Sequence, residues 1–202
     1  MGEPTAARNK KGPPQARARV FVGSSTEALD VAYAIQENLE HDAEVTVWPQ
    51  GIFDLSRPAI ASLVNELAKS DFGVFVFSPD DRIRLRKQAF KAIRDNVIFE
   101  LGLFAGRLGI DRTFIIIPDD AKDLHIPTDL TGVTPGKYDA NRQDNNLQAA
   151  LGPFCTKSGA PYVKLGPCAA AGRRCGAPAQ PYAFVTSPFI RRYTAQERTA
   201  LT

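Results

Sequence analysis

Short runs of β-branched and aromatic residues alternate with longer helical patterns through the middle of this chain, and no other feature constrains its fold as strongly. The predicted strands are Val20–Val22, Val45–Trp48, Phe72–Phe77, Thr113–Ile117 and a weaker Gly136–Tyr138. The predicted helices are Thr26–Leu39, Pro58–Lys69, Asn96–Leu108 and Asn145–Cys155. Such alternation predicts right-handed crossovers and a parallel sheet covered on both faces. We therefore expect an α/β fold, a flavodoxin-like doubly wound parallel sheet of about five strands.

The two ends of the chain differ from this middle. Residues 1–18 are polar and basic without the apolar centre of an export signal, so we expect a disordered arm. Residues 158–202 include a long stretch rich in Ala, Gly and Pro without an apolar period, which predicts a low-complexity, disordered tail. The expected folded domain is therefore residues 19–157.

Composition excludes several classes of protein. A chain of 202 residues with 44% hydrophobic residues is long enough for one domain with a substantial core. The net charge of +3 is small, the basic residues are spread along the chain, and the usual recognition motifs are missing, so we expect no nucleic-acid partner. No apolar run is long enough to cross a bilayer. We expect a cytoplasmic protein without a membrane partner.

The cysteines and histidines argue against disulfide and metal sites. Cys155, Cys168 and Cys175 form no close pair and leave an odd thiol, which fits a reducing compartment better than a disulfide framework. His41 and His125 lie far from them in sequence and lack metal-ligand spacing. We expect neither a metal site nor a bound cofactor.

One carboxylate, Glu100, lies inside the nearly all-apolar helix predicted at Asn96–Leu108. A helix that is apolar all round is typically buried, and a buried Glu costs free energy unless it is paired or kept for chemistry. Its neighbours at helical spacing are Asn96, Leu103, Phe104 and Arg107. These surroundings predict a raised pKa or a role beside a ligand's positive charge. The structural alternative is an ion pair of Glu100 with Arg94 or Arg107.

Ligands of doubly wound sheets bind beyond the carboxyl ends of the strands. In this chain those ends are Gly23–Ser25, Pro49–Ser56 and Ser78–Arg94, and all three are expected to converge where the Glu100 helix begins. The last of them is longer than most connections, and loops of that length are often functional or mobile.

The first of these loops, Gly23–Glu27, has two compatible interpretations. Ser24 and Glu27 fit a capping box, and the same hydroxyls and amides fit a ligand phosphate at the positive end of the helix dipole. The three spaced glycines of dinucleotide-binding domains and the Gly-Lys-Ser/Thr phosphate loop are both missing. A redox Rossmann domain and a nucleoside triphosphatase are therefore disfavoured.

Two further features have both structural and functional interpretations. Trp48, at the end of the second strand, is either a core aromatic or a residue that stacks on a flat ring. A set of basic residues is either a solvated loop or a contact for diphosphate or a second subunit; the set comprises Arg82, Arg84, Arg86, Lys87, Lys91 and Arg94.

Taken together, several ordered segments resemble the TIR-like domain of bacterial antiphage effectors associated with CD-NTase and Pycsar signalling. The matching segments are Val20–Ser25 with Glu27, Glu44–Trp48 leading to Gly51–Phe53, Asp71–Asp81, Arg94–Phe104, Gly106–Gly109, Pro127–Gly132 and Tyr138–Asp139. The resemblance covers about Arg19 to Lys157 and is more specific than one short pattern.

The resemblance implies hydrolysis of NAD+ at the bond between nicotinamide and ribose, with NAD+ as substrate rather than cofactor. It assigns Glu100 as the catalytic glutamate, which stabilises the oxocarbenium-like transition state. The expected substrate-binding residues are Gly23, Ser24, Ser25, Trp48, Asp95 and Asn96.

The resemblance also implies partners. Effectors of this group usually carry a sensor that drives assembly, and TIR sites are often completed across two subunits by the loop after the second strand, here Pro49–Ser56. We expect a homo-oligomer on activation. The chain has no room for the sensor, so the alternatives are a lone domain, a truncated effector or a partner of a separate cyclic-nucleotide sensor.

Two other functions remain open. A nucleoside deoxyribosyltransferase-like enzyme would use Glu100 as a nucleophile on a similar fold. A non-catalytic nucleotide-binding or scaffold TIR module would bind nucleotide without turnover.

Overall fold

The structure, a computed structural model, describes residues 16–50, 59–85, 88–121, 124–130 and 133–168. Its strands are β1 Ala18–Gly23, β2 Ala43–Val47, β3 Phe72–Val76, β4 Asp81–Leu85, β5 Gln88–Ala92, β6 Thr113–Pro118, β7 Leu124–His125 and β8 Gly136–Tyr138. Its α-helices are α1 Leu29–Leu39, α2 Ala59–Lys69, α3 Asp95–Leu108 and α4 Leu147–Leu165. The predictions of a disordered arm and of a low-complexity tail fall largely on residues outside these ranges.

The central sheet has five strands in the order β2-β1-β3-β6-β8, and every neighbouring pair is parallel. The register aligns Val20 with Val45 on one side of β1 and with Phe72 on the other. The crossing order, in which the chain first moves to one edge and then returns past β1, is that of a flavodoxin-like doubly wound sheet. The predicted fold class is confirmed, and each of the five predicted strands is present.

Alternate residues of the central strands enter two cores, one on each face of the sheet. Val20 and Val22 of β1 pack with α1 and α4, whereas Phe21 packs with α2 and α3. On β3 the aromatic Phe75 joins the second cluster, where its ring lies edge-on to Phe104 at 5.3 Å. This period of two with apolar residues on both faces is what a fully covered parallel strand requires.

A second, small sheet occupies the long segment after β3, where the sequence predicted only a loop. Strands β4 and β5 form an antiparallel hairpin, and β7 pairs with β5 in parallel. Phe90 of the hairpin lies 6.1 Å from the ring of His125 in β7, measured between ring centroids. The expectation of an irregular loop at Ser78–Arg94 is therefore wrong for most of that segment.

Helix α4 continues ten residues beyond its predicted end at Cys155, to Leu165. The extension is held by packing, because Tyr162 is buried with its ring 4.8 Å from Phe72 and 5.8 Å from Phe114. The residues after the helix are also fixed, since the Cys168 amide donates to Asp71 at 2.7 Å. The packed structure thus includes residues that the sequence assigned to the tail.

The cysteines differ from one another in state. Cys155 is a buried free thiol, and burial raises its pKa to about 12. Cys168, in contrast, is disulfide-bonded, so the expectation of reduced cysteines is wrong at this position. Within the described ranges, no helix has the length and apolar character needed to cross a membrane.

Candidate functional site

Glu100 lies in the second turn of α3, half-buried on the side of the sheet that α2 and α3 cover. Its Oε2 atom is buried and has no hydrogen-bond partner in the described part of the chain. Burial raises the pKa of Glu100 to about 7, because the surroundings disfavour the charged form and no cation compensates. The carboxyl group is therefore held close to its ionisation midpoint at neutral pH.

The helix that carries Glu100 is amphipathic rather than buried all round. Its core face is Val97, Leu101, Phe104 and Leu108. The opposite face is solvated: Phe99 is 54% exposed, and Gly102 and Gly106 are exposed as well. The expectation of a fully buried helix is wrong, but Glu100 still lies on the part of α3 that turns towards the strand ends.

Gly23, the last residue of β1, lies close to the carboxylate of Glu100. A Cβ on residue 23 would lie 2.8 Å from ring carbons of Phe75 and 3.0 Å from Glu100 Oε2. Any larger side chain would occupy the space against the carboxylate. Position 23 therefore requires glycine because there is no room for a side chain. Its backbone conformation is one that other residues also adopt.

Ser24 and Ser25 follow directly, and both are almost completely buried, at 1% and 3% exposure. Neither hydroxyl has a hydrogen-bond partner among the described residues. Ser25 occupies the position before the short 3-10 turn Thr26–Ala28, yet its side chain makes no capping bond. Buried hydroxyls are normally satisfied, so these two are exceptions within the described part of the chain.

The capping box predicted for this loop is not formed, because Glu27 has another partner. Its carboxylate forms an ion pair with Arg94, which lies just before α3, and Arg94 Nε also lies 3.8 Å from Asp81 Oδ2. The pair joins the beginning of α1 to the beginning of α3. The predicted alternative, an ion pair of Glu100 with Arg94 or Arg107, is not formed. Arg94 contacts Glu27 and Asp81 instead, and Glu100 forms no ion pair within the described ranges.

Trp48 follows β2 and is half-buried, with apolar contacts to both core clusters. Its backbone amide donates to the carbonyl of Val22 at 3.0 Å, which continues the pairing of β2 with β1 beyond the regular strand. The indole therefore lies beside the end of β1, at the same edge of the sheet as Ser24 and Ser25. The next loop residues, 51–58, lie outside the described part of the chain.

Asp95 and Asn96 begin α3 and are exposed. The Asn96 amide donates to Asp95 Oδ1 at 2.8 Å, so Asp95 stabilises the first turn. Asn96 lies four residues before Glu100 and thus one turn away on the same face of the helix. The structure brings Gly23 and Glu100 together closely, with Ser24 next to Gly23 in the chain, and leaves Asp95 and Asn96 exposed to solvent.

Three members of the basic set have described side chains: Arg82, Lys91 and Arg94. Arg82 and Lys91 are exposed and stand directly opposite each other on β4 and β5. Strand alternation places them on the hairpin face opposite to Asp81, which contacts Arg94. Among these three, Arg94 forms an ion pair with Glu27, shortly after the end of β1. The side chains of Arg84, Arg86 and Lys87 lie outside the described part of the chain.

One pair of residues near this edge was not singled out by the sequence. The Ser78 hydroxyl donates to Asp80 Oδ1 at 2.7 Å, just after β3, and Asp80 Oδ2 is buried without a partner in the described chain. A polar Ser-Pro-Asp sequence after an apolar strand was the available signal. In the described residues, no group of three or more His, Cys, Asp or Glu side chains has a metal-binding arrangement.

The fold and this edge define the class of protein: a doubly wound α/β domain whose strand ends have a carboxylate oxygen and two hydroxyls without partners among the described residues. Residues 19–140 match the family described as CAP12/Pycsar effector protein, TIR domain. This match covers more than half of the chain, and the chain belongs to this family.

Several named proteins are similar in sequence to this chain. The Pycsar effector protein PaPycTIR of Pseudomonas aeruginosa is 42% identical over 156 residues, which is 77% of this chain and 50% of that protein. Pycsar effector protein BcPycTIR of Burkholderia cepacia is 40% identical, with 73% and 48% covered. CD-NTase-associated protein 12 of a Lachnospiraceae bacterium is 40% identical, with 66% and 42% covered. This chain spans about half the length of the curated relatives it matches.

Proposed function

We propose that this domain hydrolyses NAD+ at the bond between nicotinamide and ribose, and that it acts as a TIR effector in antiphage defence. The single observation that carries the proposal is Glu100 Oε2, which is buried beside Gly23 and has no hydrogen-bond partner in the described part of the chain. Membership of the CAP12/Pycsar TIR family supports it.

The chemistry suits a lone carboxylate. The pyridinium of NAD+ is positively charged and leaves as neutral nicotinamide, so the bond electrons pass to the ring nitrogen and no acid is needed there. Water then adds to C1′ of the ribose and loses a proton, which yields ADP-ribose. A negative group beside C1′ stabilises the oxocarbenium-like transition state. Glu100 takes this role, because burial destabilises its ionised form and the positive charge of the substrate favours it.

The remaining residues bind the dinucleotide. Ser24 and Ser25 offer their hydroxyls to the diphosphate or ribose, at the end of the chain segment that opens α1. Trp48 forms an apolar wall beside them. Asp95 and Asn96 contribute polar groups at the mouth of the site.

We further propose that activity requires assembly, and that a cyclic-nucleotide sensor, in the same protein or in a separate one, triggers it. The relatives are named for Pycsar and CD-NTase systems, and this chain spans about half of their length. A loop such as 49–56 would complete the site across two copies. Concentrated or crowded protein is therefore the appropriate state in which to test the reaction.

The test is product analysis by chromatography. Concentrated protein with a molecular crowder is incubated with NAD+, and nicotinamide and ADP-ribose are measured over time. Equimolar release of both products supports hydrolysis. If the assembled protein releases neither product, the proposal is refuted. Assembly is checked in the same samples by light scattering.

The same unpartnered Oε2 also suits a nucleophile, which favours deoxyribosyl transfer as a second candidate. That reaction forms a covalent sugar on Glu100 and passes it to a nucleobase. Intact-mass measurement after incubation with a deoxynucleoside distinguishes the two: a sugar adduct that is discharged by added nucleobase supports transfer, and its absence together with NAD+ cleavage supports hydrolysis. Nucleotide binding without either reaction would instead support a scaffold module.

A further inference from the structure

Asp80, just after β3, has one carboxylate oxygen satisfied and one free. Oδ1 accepts a hydrogen bond from the Ser78 hydroxyl at 2.7 Å, which fixes the orientation of the group. Oδ2 is buried and has no partner among the residues that the structure describes. An ionised carboxylate accepts hydrogen bonds and donates none, so the group that completes this site must be a donor.

The free oxygens of Asp80 and Glu100 lie at different parts of the strand-end edge. Glu100 is on the α3 side, where it adjoins Gly23 and Phe75. Asp80 follows β3, the strand that pairs with β1. The two carboxylates thus lie near the ends of two neighbouring strands, Glu100 beside the end of β1 and Asp80 after β3.

The hydroxyls of Ser24 and Ser25 lie at the end of β1, the strand that pairs with β3. The edge therefore presents a carboxylate beside the end of β1, two hydroxyls directly after β1, and a second carboxylate after β3. A dinucleotide has a matching sequence of groups: a ribose, a diphosphate and a second ribose. Carboxylates that accept from ribose hydroxyls are a common feature of dinucleotide sites on doubly wound sheets.

We propose that Asp80, oriented by Ser78, is a further substrate-binding residue that accepts hydrogen bonds from the adenosine ribose hydroxyls of the dinucleotide. The proposal rests on the proposed function, since it assumes that the reacting ribose lies at Glu100. The diphosphate then lies at Ser24 and Ser25, and the adenosine ribose reaches the carboxylate of Asp80.

This arrangement determines which dinucleotide is used. A 2′-phosphate on the adenosine ribose would remove a hydrogen-bond donor from Asp80 and place a negatively charged group against its carboxylate. The site should therefore select the unphosphorylated ligand. Hydrogen bonds to a charged group change affinity by roughly tenfold or more, so the preference should be at least that large.

The experiment compares binding of ADP-ribose with binding of ADP-ribose 2′-phosphate by titration calorimetry. The wild type should bind ADP-ribose about tenfold or more tightly than the phosphate. Asp80→Asn should reduce this ratio to about threefold or less, and Ser78→Ala should lower it partly. Asp119→Asn is the matched control, because Asp119 also follows a central strand, β6, but is exposed, and the substitution should leave the ratio unchanged.

Kinetics with a truncated substrate provide the second measurement. Nicotinamide mononucleotide lacks the adenosine ribose, so Asp80→Asn should raise KM for NAD+ while leaving cleavage of the mononucleotide unchanged. An unchanged binding ratio in Asp80→Asn, with a melting curve like that of the wild type, would overturn the proposal, as would failure of ADP-ribose to bind.

The two proposals fail separately. Turnover of NAD+ with a ratio insensitive to Asp80 refutes only the role of Asp80. Selectivity that depends on Asp80, without turnover by assembled protein, supports the binding role and refutes hydrolysis.

Discussion

Gly23 and Glu100 approach each other so closely that a Cβ on residue 23 would stand 3.0 Å from Glu100 Oε2. The contact joins the last residue of β1 to the second turn of α3, which are 77 positions apart in the sequence. It places the carboxylate beside the residue that directly precedes Ser24 and Ser25. The site thus depends on the packing of α3 against the sheet and on the absence of a side chain at this one position.

Replacing Gly23 by Ala should destabilise the domain by about 1–3 kcal/mol, because the new methyl would lie 2.8 Å from ring carbons of the buried Phe75. Nicotinamide release should also fall, since Glu100 would be displaced. Urea denaturation and activity measured on the same samples check both effects. Gly102→Ala is the control: a Cβ there meets nothing within 4 Å, so stability should rise by about 0.5–1 kcal/mol with activity retained.

Glu100→Gln should stabilise the protein at alkaline pH and not at acid pH. The folded-state pKa of Glu100 is raised to about 7 from 4.5, so its contribution to stability is lost as pH rises from 4.5 through 7. Each pKa unit corresponds to about 1.4 kcal/mol, which limits the gain at pH 8 to about 3 kcal/mol. Urea denaturation of both proteins at pH 4.5 and pH 8 measures it. A difference in stability that is equal at both pH values would contradict the prediction.

The pH dependence of turnover should follow the same group. Since the ionised carboxylate is the active form, kcat/KM for NAD+ should rise with pH through an apparent pKa of about 7. The corresponding rise of kcat with pH should occur at lower pH, because the bound pyridinium favours ionisation of Glu100. Initial rates between pH 5 and pH 9 test both limbs. A kcat/KM that is flat below pH 7 would show that Glu100 does not control the reaction.

Asp71→Ala should weaken the fold without affecting the site. The buried carboxylate accepts from the backbone amides of Arg19 at 2.9 Å and Cys168 at 2.7 Å, at the end of β3 opposite to Glu100. Loss of both bonds should cost about 2 kcal/mol. Hydrogen exchange should increase in residues 165–168, while turnover at 25 °C stays as in the wild type.

The exposed Asp111, in the turn before β6, serves as the control for this substitution. Asp111→Ala should change stability by less than about 0.5 kcal/mol. If both variants were equally stable, the proposed role of Asp71 as a link between β1, β3 and the end of α4 would be wrong.

The central sheet was predictable because its strands are buried on both faces, so each is a short apolar run between helical patterns. The β4–β5 hairpin was not, since its alternating residues, such as Arg82 and Arg84, give a charged segment typical of a loop. The end of α4 was also missed. Gly159 and Pro161 normally disfavour a helix, but burial of Tyr162 against Phe72 outweighs that local preference.

The position of Glu100 on a helix beside the strand ends could be predicted, because topology brings helix beginnings and strand carboxyl ends to one edge. Its lack of an ion pair within the described ranges could not be predicted. That result depends on Arg94, whose partner Glu27 lies 67 positions away and would otherwise have completed a local capping box. Because Glu27 pairs with Arg94 and no capping box forms, Ser24 and Ser25 have hydroxyls without a described partner, which only the structure could reveal.

Nicotinamide release by Glu100→Gln and wild-type protein, assembled to the same extent by light scattering, tests the central claim most directly. The substitution preserves size and removes the charge, so the rate should fall by about 100-fold or more while the fold is retained. Turnover by Glu100→Gln within a fewfold of the wild type, with a native melting curve, would contradict the assignment of Glu100 as the catalytic residue.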